Sequence, residues 1–124
     1  MSLSFNTSNP KALLGLFIEA INRESGEKGS ITTWEVASDG FFTHTSKEWA
    51  KKLWFKAKIT PNNSQLVFLT LPPKGKSISV TAYGYYHGHL IETFLNHFEK
   101  EFTSVEASAL ASNGDSVSSK ITSS

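Results

Sequence analysis

Cysteine is absent from the 124 residues. That excludes a disulfide framework, a thiolate metal site and a cysteine nucleophile, and it fits a reducing, cytoplasmic setting. Arginine occurs once, at Arg23, so the forked donor that best matches phosphates and base edges is nearly missing. No apolar run approaches the ~18 residues of a membrane span, and there is no phosphate-cradling glycine motif and no internal repeat. The opening MSLSFNTSNPKALLGLF lacks the basic start and small-residue cleavage site of a secretion signal. The expectation is a cytoplasmic protein with no membrane partner.

What remains suffices for one core. The length is that of a single domain, and 39% of the residues are hydrophobic. The net charge of +1 hides a division. Between Lys47 and Ile91 there are seven lysines and one acid, Glu48, while the rest of the chain holds five cations and ten acids. Such a polar molecule can steer an anionic partner or pair its own two ends in a dimer. The commoner outcome for such lysines is a solvated strand face that keeps a sheet soluble.

Asn9 followed by Pro10 is an N-cap with proline at the first helical position. Leu13, Leu14, Phe17, Ile18 and Ile21 then fall on one helical face, and Gly26 is the expected stop. ITTWEVA and FFTHT read as strands around Asp39-Gly40, a strong hairpin signal. Thr45 with Glu48 resembles a capping box for a short helical turn. LWFKAKIT, QLVFLTLP and SISVTAYGYY supply three more strands, and a second helix is expected from about Gly88 to Phe102. Residues 1–103 should form one globular α+β domain. Its fold class is a two-layer sandwich: a five-stranded antiparallel meander with an N-terminal and a C-terminal helix packed on one face, in the order α-β-β-β-β-β-α. Residues 104–124 hold eight serines and no aromatic; a helix extension to about Ala111 and then a disordered tail are expected.

Three constellations could carry function. A two-residue loop at Asp39-Gly40 would place Glu35 opposite His44, where a carboxylate beside an imidazole could orient a general base and raise its pKa. An exposed charge pair is the blander explanation, and no nucleophile is evident. His89 and Glu92, three apart on a helix, could hold a metal with His87. A polar helix start at a strand-to-helix corner explains the same residues, so no metal and no cofactor is assigned. The third is a sheet face that is too apolar to be wet: Trp54, Lys56, Lys58, Val67, Leu69, Leu71, Tyr83 and Tyr85, with Phe42 and His44 beside them. A second copy of the chain is the favoured cover, making a homodimer. A small apolar ligand ranks next. Single-stranded nucleic acid, stacking on the aromatics, ranks last because arginine is scarce and net charge near zero. Binding without catalysis is the expected function.

Overall fold

Asn9 opens the first helix as its chemistry dictates: its Oδ1 accepts a hydrogen bond from the Ala12 N–H at 3.1 Å, and Pro10 occupies the first helical position, where no backbone donor is needed. The computed structural model describes residues 2–108. In chain order these form β1 (Ser2–Asn6), α1 (Pro10–Asn22), β2 (Trp34–Val36), β3 (Phe42–His44), β4 (Trp54–Ile59), β5 (Gln65–Leu71), α2 (Val80–Phe98) and β6 (Ser104–Ala107). The strands make one six-stranded sheet in the order β2-β3-β4-β5-β1-β6, antiparallel at every pairing. The α+β sandwich with both helices on one face is therefore the observed architecture.

Directly paired residues share a face of an antiparallel sheet. Leu3, Phe5, Phe42, Phe55, Leu66 and Phe68 point to the helices and are at most 1% exposed. Phe17 of α1 stacks on Phe42 at 5.0 Å and meets Phe94 of α2 at 5.0 Å. Phe5 stacks on Phe94 at 4.3 Å and lies edge-on to Phe68 at 5.9 Å and to Phe102 at 5.2 Å. The two layers thus lock through rings rather than through aliphatic stripes.

Four expectations change. The segment read as a fifth strand, SISVTAYGYY, instead opens α2, which begins eight residues before Gly88 and ends at Phe98. Its alternation of β-branched and aromatic residues imitates a strand. Ser79, however, caps the helix through a 3.0 Å bond from the Ala82 N–H, and Ala82, Tyr86, Leu90 and Phe94 recur at helical spacing as buried residues. A further strand, β1, is added as the fifth in the sheet order, between β5 and β6. The helix extension expected after residue 103 is replaced by β6, paired to β1; the rest of the expected tail, and its Ala111 boundary, lie outside the described residues. The first helix ends at Asn22, not at Gly26, which sits at φ 95° in the following loop.

Because β1 bridges β5 and β6, Phe5 should count as a keystone. Phe5→Ala should cost about 3–5 kcal/mol in urea unfolding followed by tryptophan fluorescence. Ser4→Ala, one residue away on the uncovered face, should stay within ~0.5 kcal/mol. Equal effects of the two would mean that β1 is not part of the core.

Candidate functional site

The hairpin between β2 and β3 decides which side chains meet. Its loop has three residues, not two. The Ala37 N–H donates to Phe41 O at 2.8 Å and the Gly40 N–H donates to Ala37 O at 2.9 Å. Gly40 takes φ 87°, the left-handed position that favours glycine in such loops. The Phe41 N–H also donates to Asp39 Oδ1 at 3.0 Å. The extra loop residue slides the register by one. Glu35 pairs with Thr43, and Trp34 pairs with His44. A one-residue slip reverses every side chain, so Phe42 and His44 enter the core while Glu35 is exposed. The expected Glu35–His44 couple does not form.

His44 meets His89 of α2 instead, Nε2 to Nδ1 at 2.6 Å. The Ser46 N–H donates to His44 Nδ1 at 3.0 Å. A ring nitrogen that accepts holds no proton, so His44 carries its proton on Nε2 and donates it to His89 Nδ1. His89 then carries its own proton on Nε2, which faces the Glu92 carboxylate at 3.7 Å. The His44 ring has no room for another proton, because protonating Nδ1 breaks the Ser46 bond. Accordingly the His44 pKa moves down, not up, from 6.5 to about 4, through burial first and then the neighbouring His89.

Aromatic rings enclose the pair. Trp34 lies 5.2 Å and Tyr85 5.3 Å from the His44 ring. The Trp34 Nε1–H donates to Thr93 Oγ1 at 3.0 Å, which in turn donates to His89 O at 2.8 Å. Tyr85 stacks on Trp49 at 4.2 Å, nearly parallel at 11°. One position along α2, the Tyr86 hydroxyl donates to Trp49 O and accepts from the Lys52 N–H at 3.3 Å. Thr43 Oγ1 donates to Leu53 O at 2.9 Å and accepts from the Lys51 N–H at 3.0 Å. The second half of the 45–53 loop is thereby pinned to α2 at Trp49 and Lys52 and to β3 at Lys51 and Leu53. Its short turn is capped by Ser46, whose Oγ accepts from the Trp49 N–H at 3.2 Å, and not by Thr45, which donates to Thr32 O at 2.6 Å. Chemically, the imidazole pair is a neutral fastener.

His87 faces elsewhere. Its Nδ1–H donates to Tyr83 O at 2.7 Å, Nε2 lies 3.3 Å from Thr70 Oγ1, and the ring stacks on Tyr83 at 3.8 Å. At 4% exposure it is a hydrogen-bonded core histidine. His87, His89 and Glu92 do not converge, and among the described residues no group of three histidine, cysteine, aspartate or glutamate side chains could hold a metal ion.

The uncovered face keeps part of the expected patch. Trp54, Lys56, Lys58, Val67, Leu69 and Leu71 share it through the pairs Trp54–Leu71, Lys56–Leu69 and Lys58–Val67. Tyr83 and Tyr85 belong to α2 in the other layer, and Phe42 and His44 point inward, so the apolar stripe is narrower than the sequence suggests. Leu69 is nevertheless 5% exposed, flanked by Lys56 and Ser2 on the neighbouring strands; lysine stems readily cover such a neighbour.

Sequence reasoning did not anticipate the His44–His89 contact, or a cavity of about 240 Å³ at the start of α2 lined by Lys51, Lys52, Pro73, Lys76, Ser77, Ser79 and Ala82. No acidic residue occupies the first turn of α2, and Glu99 stands at its C-cap. Charges usually oppose a helix dipole; here they reinforce it, which makes this end of the molecule strongly positive.

The neutral fastener has a pH signature. Its folded pKa lies below the unfolded one, so the unfolded chain binds the proton first. Stability should be full above pH 6.5, fall by on the order of 2 kcal/mol as pH drops towards 4, and then level off. Thermal melts across that range should show a shallower slope for His44→Gln than for the parent. An NMR titration placing the His44 midpoint above 6 would contradict the fastener. Compared with protein families, curated proteins and solved structures, the chain matches none, so these side chains alone bear on its function.

Proposed function

We propose that the protein is a small interaction module, without catalysis, that associates with a second copy of itself through the uncovered sheet face. The observation that carries this is the apolar stripe Val67, Leu69 and Leu71, with Trp54 beside it, on the face opposite both helices. A solvated face of an antiparallel sheet ordinarily alternates to polar residues, whereas here Trp54, Val67 and Leu71 are half-buried and leave apolar area that another surface can cover. A small apolar ligand on the same stripe is the variant in which the cover is not protein. Single-stranded nucleic acid has less in its favour: with Tyr83 and Tyr85 in the helical layer, Trp54 is left as one ring beside Lys56 and Lys58.

A second reading draws on the cavity at the start of α2. Lys51, Lys52 and Lys76 around one cavity suit a small phosphate-like anion. Such binding does not compete with self-association, because the cavity lies at one end of the molecule.

Sedimentation velocity over a hundredfold concentration range should show a monomer–dimer equilibrium, and Val67→Lys should abolish it while leaving the far-UV circular dichroism unchanged. A parent chain that stays monomeric throughout would end the self-association reading. For the cavity, 10 mM inorganic phosphate at matched ionic strength should raise the melting temperature by several degrees. Lys76→Gln should remove most of that rise; no rise in the parent would dismiss the anion.

A further inference from the structure

The self-association proposed above leaves open how the two copies are oriented, and the sheet register answers it. Lys58 pairs with Val67, Val67 with Ser4, and Ser4 with Glu106. One row across β4-β5-β1-β6 of the uncovered face therefore reads basic, apolar, polar, acidic. The next row reads Lys56, Leu69, Ser2. Lys58 and Glu106 are both exposed.

Two families of two-fold arrangement can stack one such face on another. An axis running across the strands keeps each strand over its own counterpart. It sets the lysines of β4 above the lysines of the other β4, with Val67 and Leu69 over one another, and like charges oppose it. An axis running along the strands, at the β5–β1 boundary, exchanges β4 with β6 and β5 with β1. Lys58 of each copy then lies over Glu106 of the other. Val67 lies over Ser4, so a half-buried apolar side chain meets a small one, while Leu69 and Ser2, each 5% exposed, add little to the contact.

We propose that the second copy sits on this face about an axis along the β5–β1 boundary, held in register by two reciprocal Lys58–Glu106 pairs. At ordinary strand spacing, β4 and β6 each lie about 7 Å from that axis. The ~30° crossing usual for stacked sheets displaces a residue there by roughly 4 Å, within reach of a lysine. The footprint of four short strands is about 400 Å² per copy, below the ~800 Å² per partner of a standard interface. The dimer is accordingly weak, and charge sets its orientation more than its affinity.

The test is a charge swap followed by sedimentation equilibrium at 50 mM salt. Lys58→Glu and Glu106→Lys should each weaken dimerisation about tenfold or more, because each replaces two attractive pairs by two repulsive ones. The double variant should return to within about threefold of the parent. Raising salt to 500 mM should narrow the differences. If Val67→Lys dissociates the dimer but the single reversals do not, the face is right and the proposed orientation is wrong. A double variant as weak as the singles also overturns the orientation. If Val67→Lys has no effect either, the underlying self-association through this face falls with it.

Discussion

One glycine in one turn sets the relation between the two halves of this molecule. With Gly40 at φ 87°, the β2–β3 hairpin closes over three residues, and the side-chain alternation of β3 is fixed from that point. Phe42 turns inward to stack on Phe17, which joins β3 to the first helix. His44 turns inward to meet His89, which joins it to the second. A two-residue loop would have turned both outward, with His44 beside Glu35, and left Phe41 and Thr43 in their places. Two polar rings between β3 and α2 are tolerable because both His44 nitrogens and His89 Nδ1 are hydrogen-bonded, while His89 Nε2 lies 3.7 Å from the exposed Glu92 carboxylate. A buried imidazole lacking that arrangement would be costly.

The chain closes on itself through its described ends. β1 lies between β5 and β6, so the first strand of the chain completes the sheet and receives the last. These pairings are long-range, and their entropic cost is met by the rings they bring together. Phe5 sits where β1 passes beneath α2, in contact with Phe68, Phe94 and Phe102. The other face of the same strand carries Ser2 and Ser4, beside a half-buried Val67 and a buried Leu69. One strand therefore serves the core with one set of side chains and shapes the outer surface with the other.

The charge asymmetry acquires a direction in three dimensions. Lys51, Lys52 and Lys76 gather at the start of α2, and Glu99 and Glu101 lie at its end. A helix that receives cations at its positive end gives up some stability. That concentration of like charge on a cavity is the kind of local sacrifice that accompanies binding of an opposite charge. On the sheet face the same asymmetry is laid out across the strands, from Lys58 to Glu106, in a single row.

Much of the architecture was legible along the chain. The cap at Asn9, the apolar stripe of α1, the three strands from Trp34 to Ile59 and the strand at Gln65–Leu71 follow from local chemistry, because caps and short periodic runs are read over a few residues. The sandwich class follows from those elements and their need to bury one face. Tertiary structure alone decided three matters. Val80–Tyr86 became helix rather than strand: Ser79 caps the Ala82 N–H, and the adjacent Tyr86 and His87 are both buried, which one face of a strand does not allow. Ser2–Asn6 became a strand on the open edge of β5, and Ser104–Ala107 on that of β1, which no local pattern announces. The partner of His44 became His89 rather than Glu35. Asp39-Gly40 suits a two- or a three-residue loop equally well, and the core, by taking Phe42, chose between them.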